Sequence, residues 1–390
     1  MLNPKTNERE LAYIVEVSET KELPGYDRVH YVHVNGWWCV ASKDIQTGDK
    51  AIYFEIDSLL PESDKRFVFM APRKYRVRTQ KMCKVVSQGL VLSAKDFPEL
   101  KDCNVGDFVT EKLHVDKYDP DPIQEEPPKS KVSEFQRAMN RHQKFFQNPI
   151  VKYLMRFKPV RWVLSKVFVK SKDKNKCKWP DWLPKTGSER LQNLTNLLGS
   201  NDKYIITEKV DGASTSFILD EKNRYFIGSH NVIKNPEKNS DGGNYFGNNI
   251  WAESGAKYDM ENVLKQIKQS TENLETVAIQ GETYGDGVQR RTYSLKNRRH
   301  DFVVFHIWFN GVRLPIKEMI DLCDKYNLPH VHVYDYNYQI PNTVEEVIND
   351  VDKSKSNIDG GEIEGFVFYS QDGQQNFKCV SPSFLLKYHR

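Results

Sequence analysis

TEKVDGAS, residues 207–214, is the stretch from which the rest of this chain can be read. The apolar residues Tyr204, Ile205 and Ile206 lead into it, so Lys209 is predicted to end a strand just before an Asp211-Gly212 turn. Taken alone, a Lys-x-Asp-Gly turn fits a solvated turn lysine as well as it fits chemistry. The elements that follow change the balance: QGETYGDG (280–287), FVVFHIW (302–308), EIEGFVFYS (362–370) and NFKCVS (376–381). Three of these set Glu282, Glu364 and Lys378 against apolar strands. The steps from Lys209 to Glu282, Glu364 and Lys378 are 73, 82 and 14 residues. The last step suits two adjacent strands joined by a turn at 371–374.

Working outward, 390 residues exceed one compact core and predict two domains with an insert. A hydrophobic content of 38% with 12% aromatics is enough to fill a core, which excludes a disordered chain. No apolar run approaches the roughly 18 residues of a membrane span. The start, MLNPKTNERE, has no apolar segment of a secretory signal. An intracellular, reducing location without membrane attachment is therefore expected. The six cysteines are scattered and form no C-x-x-C, so reduced thiols are expected in place of a zinc site or disulfides. Net charge is +4, yet residues 129–178 hold 15 Lys/Arg against two acids. That segment carries +13 and leaves −9 for the remainder, which points to a polyanionic partner.

Residues 1–115 read as a small β-barrel of short strands at 11–17, 29–34, 37–41, 50–55, 85–92 and 107–112. Turn signals such as Asn35-Gly36 and Gly48-Asp49 separate them. Residues 116–179 comprise a proline-rich linker and a basic helical insert, whose apolar side packs, whose cations meet RNA phosphate, or which lies on a membrane surface. Residues 180–390 mix strands at 204–209, 215–219, 225–228, 277–282, 302–308, 366–369 and 377–380 with helices. The helices are placed where Met260, Val263, Leu264 and Ile267 recur, and at Val344, Val347, Ile348 and Val351.

The ordered set Lys209-Val210-Asp211-Gly212, Glu282, 302–308, Glu364 and Lys378 resembles the covalent nucleotidyltransferases, the superfamily of polynucleotide ligases and capping enzymes. LPKTGSERLQN (183–193) resembles an element of nick-sealing RNA ligases, and GSHN (228–231) resembles a motif that contacts the nucleic-acid strand. PGYDRVH (24–30), residues 36–62 and SQGLVL (87–92) resemble the OB module that precedes the catalytic domain in one RNA ligase family. The resemblance implies an α+β chain: an OB-like β-barrel, then a nucleotidyltransferase (ATP-grasp-like ligase core) domain of antiparallel sheets with helices. Residues 1–115 would be the OB-like nucleic-acid-binding domain and 180–390 the adenylyltransferase domain.

It also implies ATP and a divalent cation, Mg²⁺ or Mn²⁺, as cofactors, and RNA with 3′-OH and 5′-phosphate ends as partner, the protein acting as a monomer. Lys209 would be the nucleophile and Lys378 the second catalytic lysine. Arg190, Glu208, Lys209, Glu282, Phe305 and Lys378 would bind ATP, and Asp211, Glu282 and Glu364 the metal. Ser229, His230, Asn231, Arg76 and Arg78 would bind RNA. A lysine must lose its proton to attack phosphorus, although its free pKa is about 10.4. The metal and Lys378 are expected to favour the neutral amine. Carboxylates suit a hard, hydrated cation held largely through water.

Competing readings stay open. Thr186 or Ser188 could cap a helix through Leu191, and Phe305 could be a strand-core residue in place of an adenine platform. Trp37, Trp38 and Tyr53 could stack bases, while Arg73, Lys74, Arg76, Arg78 and Lys81 could track phosphates. Gly187, His230 and His306 depart from the usual aspartate, arginine and aspartate of the family patterns. Val380 stands where many ligases carry a further lysine, with Lys387 as a conceivable substitute. The expected function is an ATP-dependent RNA ligase working through lysyl-AMP and an adenylylated 5′ end. The alternatives are a DNA ligase, a GTP-dependent capping enzyme or a non-catalytic RNA-binding relative. Only 12 residues follow Lys378, too few for the C-terminal OB domain of the first two.

Overall fold

The computed structural model describes residues 1, 3, 9–118, 151, 179–230, 232–234, 250–295 and 299–389. Residues 1–118 with 180–390 form one compact unit, and 119–179 a second. The helical runs expected in the basic insert (Val151 excepted), the loop 240–249 and Asn231 lie outside the described residues.

The N-terminal part is built from β1 (Ala12–Glu16), β2 (Glu19–Lys21), β3 (Val29–Val34), β4 (Trp37–Ser42), β5 (Lys50–Phe54), β6 (Ser58–Leu59), β7 (Thr79–Met82), β8 (Val85–Gln88), β9 (Leu90–Ser93) and β10 (Asp116–Lys117). β1-β5-β9 and β2-β3-β4 are antiparallel three-stranded sheets, and β6 pairs with β10 and β7 with β8. This is the expected OB-fold domain. The Asn35-Gly36 hairpin lies where its turn signal puts it, and β3 alternates half-buried and buried residues along its length. The run expected at 85–92 is two strands broken at Gly89. The strand expected at 107–112 reduces to one bridge, Tyr13 with Phe108, followed by turns. Two apolar clusters fill the barrel, one around Phe54, Phe67 and Phe97, the other around Tyr13, Trp37 and Tyr53. The second is completed by Val380 and Leu385 from the far end of the chain.

The C-terminal part runs β11 (Glu189–Arg190), β12 (Lys203–Lys209), β13 (Ala213–Leu219), β14 (Tyr225–Gly228), β15 (Ile233–Lys234), α1 (Ile250–Lys257), α2 (Met260–Ser270), β16 (Val277–Gly285), β17 (His300–Phe309), β18 (Val312–Arg313), α3 (Ile316–Lys325), β19 (Val333–Gln339), α4 (Val344–Lys353), β20 (Gly365–Ser370), β21 (Asn376–Val380) and α5 (Pro382–Tyr388). One sheet has the order β11-β21-β20-β12-β19, the other β15-β14-β13-β16-β17-β18. Helices α1, α2 and α3 cover the second sheet, where Trp251, Leu264 and Met319 join Phe217, Val277 and Phe302. Met260, Val263, Leu264 and Ile267 form the buried stripe of α2, as their spacing predicts. A fully buried side chain of this kind contributes roughly 1.5–3 kcal/mol relative to exposure. Helix α4 opens with a Thr343/Glu346 capping box and packs Val347 and Val351 on the first sheet, beside Phe366, Phe368 and Phe377.

The consequence for function lies in one connection. β12 ends at Lys209 in one sheet and β13 begins at Ala213 in the other, so residues 210–212 carry the chain between sheets. Gly212 is required there: a Cβ would lie 2.3 Å from the Thr283 carbonyl oxygen and 2.9 Å from the Glu282 side chain. The same close approach that excludes a side chain brings Glu282 to the turn. Among the described residues no helix is long and apolar enough to cross a membrane.

Candidate active site

Lys209 Nζ donates to Glu364 Oε2 at 2.6 Å, linking the end of β12 to the residue preceding β20. Asp211 hangs from the inter-sheet turn. Its backbone N–H donates to the Tyr293 hydroxyl at 2.9 Å, and its Oδ1 lies 3.3 Å from His389 Nε2. Its Oδ2 is buried with no hydrogen-bond partner. Glu282 sits on β16 opposite Ser214, and Lys378 sits on β21 between Val367 of β20 and Arg190 of β11.

Electrostatics follow from this crowding. Burial, then the nearby Glu364 and Asp211, push Glu282 up to about 8 although Lys209 opposes them. Asp211 is also raised, by burial first and Glu364 next, with His389 pulling the other way. Burial, then Lys209, Arg190 and Arg9, bring Lys378 down to about 7. Burial also works against a charged Lys209, but Glu364, Glu282 and Asp211 outweigh it and hold its pKa above the ordinary value. Lys378 by itself does not bring the Lys209 ammonium toward neutrality. Three carboxylates dominate, and Lys378 is the lysine nearer neutrality.

Arg190 is 8% exposed, its guanidinium 5.7 Å from the Trp37 ring. Its Nε and Nη1 are buried without hydrogen-bond partners, beside Lys378 across the β11–β21 pairing. The helix-cap alternative fails, because 189–190 are strand and Thr186 Oγ1 bonds Ser214 Oγ (2.6 Å) and His230 Nδ1 (2.9 Å) instead. Glu208 faces elsewhere. Its carboxylate accepts from Ser356 Oγ at 2.5 Å and Asn357 N at 3.0 Å, so it grips the loop before Glu364 and stays out of the Lys209 cluster.

Phe305 occupies a β-bulge. Gln280 pairs with His306 and Gly281 with Val304, leaving Phe305 the extra residue of β17. Half-buried, it packs against a cluster of Val210, Tyr284, Tyr293, Val303 and Val331 that includes the residue after Lys209. His306 points instead to Arg313 Nη1 at 3.3 Å and is held neutral, by burial first and by that guanidinium.

His230 is pushed down to about 4 by burial and by Lys117, Lys378 and Lys185, so it stands as a neutral imidazole in the basic surroundings of Lys378. Ser229 makes a tight turn onto the Val232 carbonyl. In the OB-fold domain Arg76 pairs with Asp57 at 2.6 Å and lies 3.6 Å over the Tyr118 ring. Arg78 has a buried Nε without a partner, with Arg76 and Arg290 near it. Trp37 and Tyr53 are fully buried, which removes them as base platforms, and Trp38 is stacked on Tyr31. Val380 is buried in the barrel-side cluster, where a lysine would have no water, and Lys387 is an exposed partner of Glu362 at 2.9 Å. Neither supplies a further active-site cation. Tyr293, Ser356 and His389 are structural members of the site that the sequence reading missed. They belong to no motif, and tertiary contact alone brings them in.

Among the described residues no three His, Cys, Asp or Glu side chains converge as direct metal ligands. Asp211, Glu282 and Glu364 instead surround the Lys209 ammonium electrostatically, a setting suited to a hydrated cation held through water.

Two sheets meeting at a lysine-bearing turn, behind an OB-fold domain, define an α+β enzyme of the nucleotidyl-transferring class. Residues 202–389 match the family model for RNA ligase, and residues 11–94 match an OB-fold domain model. A Naegleria gruberi RNA ligase variant solved without ligand superposes with TM-score 0.73 at 25% identity, over 97% of this chain and 97% of that one. A second variant of that ligase, solved with ATP and Mn, gives TM-score 0.74 at 25% identity over 98% and 100%. No curated protein sequence matches the chain. Residues 202–389 are an RNA ligase domain, and an OB-fold domain precedes it.

Proposed function

We propose that this RNA ligase joins RNA 3′-OH and 5′-phosphate ends by three successive transfers that begin on Lys209. Lys209 Nζ attacks the α-phosphorus of ATP; a P–N bond forms, the bond to the β-phosphate oxygen breaks, and pyrophosphate leaves. The AMP then passes to an oxygen of the RNA 5′-phosphate, breaking the P–N bond and forming a 5′–5′ pyrophosphate. Finally the RNA 3′-hydroxyl attacks the 5′-phosphorus and AMP departs.

The observation that carries this reading is the buried convergence of Lys209 with Glu364, Glu282 and Asp211, flanked by Lys378 and Arg190. Arg190 brings two unpaired N–H donors and Lys378 a cation, a fitting site for phosphate oxygens of ATP. Phe305 offers its ring to adenine, and Glu208 supports the nucleotide site from behind through the 356–357 loop. Asp211, Glu282 and Glu364 would hold Mg²⁺ or Mn²⁺ through its water shell, and the ion would supply positive charge that offsets these carboxylates and the phosphates. With that charge offset, these carboxyl groups would stabilise the Lys209 ammonium less and would let it reach the neutral state its attack requires. Ser229, His230, Asn231, Arg76 and Arg78 are the proposed RNA contacts, and the protein is proposed to act as a monomer.

The test is incubation with α-labelled ATP or GTP and either metal. Label retained after denaturation, acid-labile and absent in Lys209→Ala, is the expected result. No adduct with either nucleotide would end the proposal, and a preference for GTP would move the chain to capping chemistry.

A further inference from the structure

Arg190 is presented by a strand of only two residues at the edge of a sheet, followed at once by a 3₁₀ turn. A single parallel pairing is a weak hold on a buried guanidinium that leaves two of its donors open. Leu191 anchors the next position in the apolar cluster of the first sheet, and polar support comes from the other domain. Gly36 N, in the β3–β4 hairpin, donates to the Gln192 carbonyl at 2.8 Å. The principal tie is the side chain of Asn193.

Asn193 uses its whole hydrogen-bonding capacity. Oδ1 accepts from Trp37 Nε1 at 2.7 Å and from the Tyr13 hydroxyl at 3.0 Å. Nδ2 donates to Glu55 Oε1 at 2.7 Å and to Glu189 Oε1 at 2.9 Å. Trp37, Tyr13 and Glu55 belong to the OB-fold domain and are at most 1% exposed. A flipped amide would set an N–H against the Trp37 indole donor and its oxygen against two carboxylates. Glu189 Oε1 also accepts the Arg190 backbone N–H at 2.8 Å. Asn193, Glu189 and Arg190 are therefore one bonded unit, fastened to the barrel at three points.

We propose that Asn193 is a positioning residue through which the OB-fold domain sets Arg190 beside Lys378 for nucleotide transfer to Lys209. The proposal rests on the reading of Arg190 as an ATP phosphate contact. It assigns the barrel a part in the first chemical step, apart from any contact with RNA. The step itself is unchanged, and Asn193 touches none of the reacting atoms. Displacement of a phosphate donor by about an ångström is enough to slow such a transfer ten- to a hundredfold.

The experiment is a mutant cycle on self-adenylylation of the full-length protein, with Asn193→Ala, Arg190→Ala and the double variant, read as KM for ATP and rate of adduct formation. Asn193→Ala is expected to raise KM for ATP about tenfold. The double variant is expected to match Arg190→Ala within about twofold, because the contact that Asn193 positions is already gone. Trp37→Phe keeps the ring and removes one donor, and Asn193→Asp keeps both acceptor bonds but sets an oxygen against two carboxylates. Both are expected to show the same KM shift in a smaller and a larger degree, and they serve if Asn193→Ala does not fold. A merely structural bolt would lower the melting temperature and leave KM for ATP unchanged in every folded variant, which would overturn the proposal. Effects that multiply in the double variant would overturn it too. A wild-type KM in Arg190→Ala would instead remove the reading of Arg190, and no adduct in the wild-type protein would remove the ligase chemistry itself.

Discussion

Lys209 and Lys378 share one buried neighbourhood and are driven in opposite directions. Carboxylates around Lys209 stabilise its ammonium against burial, while Lys378, beside Arg190 and Lys209, is brought down to about 7. Lys209 therefore waits in the protonated form, clamped to Glu364 at 2.6 Å. A single substitution can separate its charge from its reactivity. In Lys209→Arg a cation still faces Glu364, but a guanidinium cannot give up its proton in a protein. The melting temperature is expected to stay within about 3 °C of wild type, while adduct formation falls at least about a thousandfold. Calorimetry with the α-labelled assay reads both. A labelled adduct at the wild-type rate in this variant would show that Lys209 is not the residue that carries AMP.

The bulge in β17 shows how an element can aim one side chain. Phe302 and Val304 face the core under the helices, and so do Ile307 and Phe309, so the inward positions change from even to odd across Phe305. The extra residue makes that change and leaves Phe305 on the side of Val210, the residue after Lys209. Nothing in FVVFHIW announces it. A continuous apolar run predicts a buried strand but has no alternation from which a register shift could be read. β19 escaped notice for a related reason: its tyrosines are interleaved with Asp335, Asn337 and Gln339, and much of the strand is exposed. By contrast, the β3–β4 hairpin, α2 and the strands bearing Lys209, Glu282 and Lys378 were legible, because a turn signal, a 3.6-residue stripe or a short apolar run marks each. Arg190 was legible as a residue but not in its fold, since two residues of strand carry no period. If Phe305 stacks on adenine, Phe305→Leu keeps apolar packing and loses the flat face. A base–aromatic stack is worth about 1–3 kcal/mol, so KM for ATP is expected to rise about tenfold with the adduct-forming rate within about twofold. An unchanged KM would return Phe305 to the role of a core residue.

On the scale of the whole molecule, the two ends of the chain are joined by buried polar groups as well as by apolar packing. Val380 and Leu385 complete a barrel cluster, while Glu55 of the barrel holds Asn193 of the catalytic part. Glu55 is fully buried; burial would raise its pKa, but Arg9, whose Nε donates to it at 2.7 Å, the Met1 ammonium and Asn193 together bring it down to about 2. A carboxylate whose folded pKa lies below its ordinary value stabilises the fold above that ordinary value, and loses the contribution as pH falls toward the folded one. The window is therefore from about 4.5 down to about 2, and a shift of this size corresponds to about 3 kcal/mol. Glu55→Gln is neutral at every pH and resembles the protonated wild type. Urea unfolding of both proteins should give a stability difference that is largest at pH 6 and above and shrinks steadily below pH 4.5. The other carboxylates titrate in both proteins and cancel in that difference. A difference that stays constant from pH 6 to pH 3 would mean that the Glu55 charge does not contribute to holding the barrel and the catalytic part together, and that packing around Val380 and Leu385 does so alone.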